Sequence, residues 1–138
     1  MSVEFVDTNV LIYAHDGGAG SRHDSSVSLL KRLFDSGTGA LSVQVLSEFY
    51  AAATKKLGMK AQEAEDILND LEPWKLHRPS RASLLAASRL HRQHKISWWD
   101  ALILQSALEL GSSILWSEDF THGQRFGTIT VQNPFKKQ

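Results

Sequence analysis

Short apolar runs alternate along the chain with longer stretches in which apolar residues recur every three or four positions, the periods of strand and helix respectively. Val3 to Val6 is a run of the first kind and predicts the first strand. Asn9 to His15 predicts a short helix. From Ser25 to Asp35, residues Val27, Leu30, Leu33 and Phe34 fall on one helical face, and Gly37 and Gly39 end the pattern. Ala40 to Val43 predicts a short strand, and Gln44 to Leu57 a strong helix stopped by Gly58. Ala61 to Leu71 is helical and is followed by Pro73. Trp74 to His77 alternates and halts before Pro79, as a strand does. Ser83 to His94 and Trp98 to Leu110 are helical, the second stopped by Gly111. Ser113 to Trp116 and Thr128 to Val131 are the last strands, and Asn133-Pro134 ends the fold.

Strands separated by helices pair in parallel through right-handed crossovers. The expected class is therefore α/β, a three-layer sandwich with a central, mostly parallel sheet flanked by helices. No repeat, low-complexity stretch or linker divides residues 1–138, so a single domain is expected. The strongest loop signal, Asp16-Gly17-Gly18-Ala19-Gly20-Ser21, predicts a flexible excursion. In such sheets ligands bind beyond the carboxyl ends of the strands. Functional residues should therefore follow the strand runs.

Composition changes this picture little. Apolar residues make up 42% and charged residues 22% of the 138, the mix of a chain able to bury a core. There are no cysteines, which excludes a disulfide framework and thiolate metal sites and fits the cytoplasm. No apolar run reaches the roughly 20 residues needed to span a bilayer, so no membrane association is expected. The opening MSVEFVDTNV carries an acid where a signal peptide has basic residues, and reads as the first strand of the fold. A formal net charge of zero argues against binding nucleic acid by bulk charge alone. It does not oppose an enzyme whose acidic centre is neutralised by a bound cation.

Four acids meet the positional demand. Asp7 follows the first strand, and Asp119 follows Ser113 to Trp116. Glu48 sits one turn into the helix after Ala40 to Val43, and Asp100 lies in the first turn of the helix starting near Trp98. Two carboxylates about 4 Å apart repel by roughly 4 kcal/mol at an effective dielectric near 20. Gathering four is unfavourable unless protons or cations neutralise them. Oxygen ligands select Mg²⁺ or Mn²⁺ over zinc. A carboxylate-held divalent ion suits phosphodiester hydrolysis, where it activates water and stabilises the leaving oxygen. Each acid also has a plainer reading. Asp7 fits an Asx turn or helix N-cap, Asp100 a variant capping box with Ser97, Glu48 a solvated helix face, and Asp119 a turn start. The set of four, rather than any member, favours a site. Glu63, Glu65, Asp66, Asp70 and Glu72 cluster on one helix and belong to a solvated face.

The same residues carry a resemblance. Val6-Asp7-Thr8-Asn9-Val10-Leu11 resembles the opening motif of PIN domains, specifically of VapC toxins. Ser47-Glu48-Phe49, then Ile96-Ser97-Trp98-Trp99-Asp100-Ala101-Leu102-Ile103, then Ser117-Glu118-Asp119-Phe120 with His122-Gly123-Gln124, are similar to their second, third and fourth acidic motifs. Val131-Gln132-Asn133-Pro134-Phe135 is also similar to family members. The resemblance spans nearly the whole chain in order. It implies a PIN-like fold and a cytoplasmic, Mg²⁺- or Mn²⁺-dependent endoribonuclease toxin. It further implies an RNA substrate (tRNA, rRNA or mRNA), a VapB-like antitoxin as inhibitor, and a homodimer. By the same likeness Asp7, Glu48, Asp100 and Asp119 are the catalytic metal ligands, directly or through water. Thr8, Asn9 and Ser117 then support those ligands from behind.

Other features are read beside this. Trp98 and Trp99 offer base stacking, against a core or dimer role favoured for at least one of them. Arg89, His91, Arg92, His94 and Lys95, with Arg78 and Arg81 before them, are either phosphate contacts or a solvated helix end. No histidine has zinc spacing or a nucleophile beside it, so covalent catalysis is not expected. A receiver domain also places an acid after its first strand with Mg²⁺, but wants adjacent acids there and a lysine after a late strand. Asp7 stands alone, and Val131 is followed by Gln132-Asn133-Pro134. A PIN-like module that only binds RNA or protein would show loss of a site acid, and all four are present.

Overall fold

A computed structural model describes residues 2–136. Met1, Lys137 and Gln138, the ends of the domain expected over 1–138, lie outside them. Strands β1 (Val3–Val6), β2 (Gly39–Ser42), β3 (Lys75–His77), β4 (Ser112–Trp116), β5 (Arg125–Phe126) and β6 (Ile129–Gln132) form one sheet in the order β3-β2-β1-β4-β6-β5. Every neighbouring pair is parallel except β5 with β6. Helices α1 (Thr8–Tyr13), α2 (Ser21–Ser36), α3 (Val43–Lys55), α4 (Ala61–Asp70), α5 (Arg81–His94) and α6 (Trp98–Glu109) flank it. This is the mostly parallel α/β sandwich that the alternation of periods predicts. All residues of β1 and β2 are buried, as in a sheet covered on both faces, which is why these strands appear as continuous runs. Phe5, Leu33, Leu41, Phe49, Leu104 and Leu115 are among the fully buried side chains of the core.

Two elements depart from expectation. The glycine-rich segment after Asp16 is an ordered 3-10 turn, Gly17–Ala19, not a flexible excursion. The Asp16 carboxylate accepts from the Gly18 N–H at 3.0 Å and closes the turn. Helix α2 then begins at Ser21, four residues before the apolar spacing starts, because its first turn (Ser-Arg-His-Asp) is polar. Strand β5 was hidden by its length of two residues, and it pairs with β6 through a tight turn at Gly127, φ +58°. The acids of α4 lie exposed, as read.

The first strand carries a buried acid. Glu4, on β1, is bound by Arg32 of α2 at 3.0 Å and by the Trp116 indole N–H at 2.9 Å. Burial pushes its carboxyl up, but these partners outweigh that and hold it below the ordinary value. At the sheet edge, His77 of β3 hydrogen-bonds Ser106 at 2.8 Å and Glu109 at 2.9 Å, tying β3 to α6.

Gly39 opens β2 for a packing reason. A Cβ there would stand 2.4 Å from the ring of buried Trp74. Gly39→Ala is expected to destabilise the fold by about 1–3 kcal/mol through this overlap. Denaturant unfolding checks it, and the loss should shrink when Trp74→Leu is made in the same chain.

Candidate functional site

The strand order reverses direction between β1 and β4, the position where open α/β sheets bind ligands. β1 ends at Val6 with the backbone still extended, so Asp7 (φ −75°, ψ 159°) becomes the N-cap of α1. Its Oδ1 accepts from the Thr8 N–H at 2.7 Å. Its Oδ2 accepts from the Ser117 hydroxyl, just past β4, at 2.6 Å. Asp7 is thus both a cap and a carboxylate aimed at the switch point, with 3% of its surface exposed. Ser117 is fully buried and also accepts from the Asp119 N–H at 3.0 Å, so one hydroxyl serves both acids. Asn9, from α1, donates its amide to Asp119 Oδ2 at 3.1 Å. The neighbouring Glu118 is held elsewhere, by the Tyr13 hydroxyl at 2.7 Å and Arg22 at 3.2 Å.

The other two acids arrive on helices. Ser97 caps α6 by accepting from the Asp100 N–H at 3.0 Å, which places Asp100 in the first turn. Ser42, the last residue of β2, caps α3 by accepting from the Val45 N–H at 3.2 Å. Glu48 follows on that helix. Its Oε1 accepts from the Thr8 hydroxyl at 2.6 Å and its Oε2 from Gln44 at 3.3 Å.

All four acids line one cavity of about 460 Å³. Carboxylate oxygens of Asp7, Asp100 and Asp119 lie within 4.8 Å of one another. Glu48 stands beside this trio rather than within it. Burial, with the charges of Asp119 and Asp100, pushes the Asp7 carboxyl up to about 7, against the Ser117 and Thr8 bonds. Burial also raises Asp100, aided by Asp119 and Glu48. The buried Asn9 Oδ1 has no hydrogen-bond partner among the described residues. Crowded like charges, an orphaned acceptor and oxygen-only donors together fit a hard divalent cation.

Several lining residues escaped the sequence reading. Gln44, Lys55 and Lys56 line the same cavity. Gln44 and Lys55 lie four before and seven after Glu48, and that helical spacing was the available signal. Trp99 lines the cavity as well, while Trp98 is half-buried against His91. The basic residues toward the end of α5 do not line it. His122 accepts from the Asn133 N–H at 3.0 Å, a bond that ties the chain's last loop to the turn after β4.

The raised Asp7 sets a sign for pH dependence. In the metal-free protein Asp7 keeps its proton to about pH 7 when folded, but an unfolded Asp loses it near 4. The folded state therefore holds the extra proton between these values, and this group's contribution to stability falls as pH rises through that window. Asp7→Asn retains a capping oxygen and removes the charge. Its stability relative to the parent, both without metal, is expected to improve steadily from about pH 4 to 7. Thermal melts at several pH values test this; a difference independent of pH would refute it.

Known proteins share this fold. A VapC toxin of Mycobacterium tuberculosis, described as cleaving the sarcin–ricin loop, superimposes with a TM-score of 0.68 at 21% identity, covering 84% of this chain and 89% of its own. A toxin–antitoxin complex from Klebsiella pneumoniae gives 0.69 at 21% identity, with 99% and 100% covered. A VapBC complex from Rickettsia felis, bound to a DNA fragment from its promoter, gives 0.67 at 21% identity, with 95% and 98% covered. No curated protein matches the sequence. The family model described as "PIN domain" matches residues 5–123, and the chain belongs to the PIN domain family.

Proposed function

We propose that this chain is an endoribonuclease toxin of the VapC type, acting as one domain. It hydrolyses RNA phosphodiester bonds with Mg²⁺ or Mn²⁺ and is restrained by a VapB-like antitoxin. The observation that carries this is the clustering of three aspartate oxygens within 4.8 Å at the switch point of a PIN-domain sheet. The toxin and the toxin–antitoxin complexes that share the fold support the biological setting, including the antitoxin. A homodimer and a cytoplasmic location accompany the proposal by likeness to that family.

Asp7, Asp100 and Asp119 would hold the cation, with Glu48 beside them directly or through water. When bound, the ion supplies neutralising charge and activation of water for attack on phosphorus. The chain's own residues fix the acids in place. Ser117 sets the separation of Asp7 and Asp119 by bonding to both. Thr8 carries the position of α1 across to Glu48. Asn9 orients Asp119 from the other side. Ile12 and Ile103 give the cavity an apolar wall, where charge interactions are screened less than in open water.

Purified protein, freed of antitoxin and incubated with total cellular RNA, is expected to give discrete fragments with Mg²⁺ or Mn²⁺. EDTA, Asp100→Ala and Asp7→Asn should each abolish them. Cleavage that persists in Asp7→Asn would sink the assignment, and no cleavage with any divalent ion would sink the enzyme. Thr8→Val removes the hydrogen bond to Glu48 and leaves all four acids. It is expected to weaken metal affinity or activity by about 10- to 100-fold, measured as the metal concentration giving half-maximal cleavage.

A further inference from the structure

The cavity that holds the acids extends along α3. Gln44, Glu48, Ala51, Ala52, Lys55 and Lys56 line it. Gln44 to Lys55 spans roughly 16 Å at about 1.5 Å per residue. At the N-terminal end of this row, the Gln44 amide donates to the Trp99 carbonyl at 3.4 Å as well as to Glu48. The Trp99 backbone therefore adjoins the start of a row that runs along α3 from the acid past two small alanines to two lysines, and Trp99 lines the same cavity.

Both ends of that row lack partners. Trp99 is 60% exposed and stacks on no aromatic ring or cation among the described residues, whereas Trp98 beside it is half-buried. Lys55 and Lys56 are the cavity's cations, and neither makes a salt bridge among the described residues. An open indole face offers a surface on which any base can stack. Lysine ammonium groups suit backbone phosphates as point charges.

We infer that Trp99 seats an unpaired RNA base beside the scissile phosphate, and that Lys55 and Lys56 hold phosphates farther along the same strand, so that the strand runs parallel to α3. This rests on the ribonuclease reading above. Trp99 is a substrate-positioning residue: it supplies affinity and register, while hydrolysis belongs to the acids. A base locked in a duplex cannot reach the indole face, so the platform discriminates in favour of strands with an unpaired base at that position.

The test separates binding from cleavage. Binding is measured in the Asp100→Asn background, with Mg²⁺, to a single-stranded oligoribonucleotide of about 12 nucleotides and to the same sequence fully paired. Trp99→Ala should weaken single-strand binding by about five- to 100-fold and leave duplex binding unchanged. In the active enzyme the same change should appear in KM more than in kcat. Trp99→Phe should recover most of the loss, and Trp99→Leu, apolar but without a π-face, should not. Because the indole is exposed, these variants should melt with the parent. Replacing Lys55 and Lys56 together by Ala should lower the slope of log affinity against log salt by about 1.4, for two phosphates on a single strand. The inference is overturned if Trp99→Ala binds the single strand as the parent does, or if Leu serves as well as Phe. It is also overturned if Trp99→Ala weakens only inhibition by the antitoxin, which would make this a protein-binding surface. Trp99-dependent binding in a protein that cleaves no RNA would overturn the hydrolase reading and leave the stacking intact.

Discussion

The structure turns on a buried carboxylate that must keep company with other carboxylates. Asp7 sits where the sheet's strand order reverses, and burial, with the charges of Asp119 and Asp100 close by, raises it to about 7. Left to Coulomb repulsion such a group would spread apart. The fold prevents this with neutral donors: the Thr8 backbone, the Ser117 hydroxyl and the Asn9 amide each fix an acid without cancelling its charge. Cancellation is left to whatever cation or proton enters. That division between positioning and neutralising gives the site its chemistry.

The same division explains why the rest of the molecule is arranged as it is. Parallel strands β1 and β4 end side by side, and their first residues beyond the sheet, Asp7 and Ser117, meet across the switch. The helices that follow β2 and precede β4 bring Glu48 and Asp100 to that end. Glu4, by contrast, is a buried acid whose charge is answered within the fold, by Arg32 and Trp116. Its carboxyl is lowered where Asp7 is raised. Two buried acids, three residues apart in the sequence, thus differ in purpose because one has a cation within the fold and the other does not.

Much of this was legible in the sequence. Strand β1 declared itself because both of its faces are covered, leaving an unbroken run from Val3 to Val6. The four acids stood out because Asp7 and Asp119 follow strands, Glu48 lies one turn into the helix after a strand, and Asp100 lies in the first turn of a helix. What stayed hidden did so for physical reasons. The two residues of β5 are too few to show a period. The first turn of α2 is polar and follows glycines, so its helical state depends on the turn closed by Asp16. Gly39 looked like a helix terminator, but its side-chain position is filled by Trp74. Trp98 and Trp99 are indistinguishable as letters, and only packing separates a half-buried indole from an open one. Lys55 carried a readable signal, seven residues beyond Glu48, that no strand-end rule brings into view.

The passage from β2 into α3 has no loop: the strand ends at Ser42, which itself caps the helix starting at Val43. The row from Gln44 to Lys56 is therefore a direct extension of the sheet's central layer. A surface built this way surrenders its backbone freedom once, when the chain folds, and not at each encounter with a ligand. Its affinity is not diluted by an ordering cost, and there is no hinge within the row for a partner to bend. Whatever occupies this groove, substrate or inhibitor, meets a template already set, and competition between the two is decided by contact rather than by conformational persuasion.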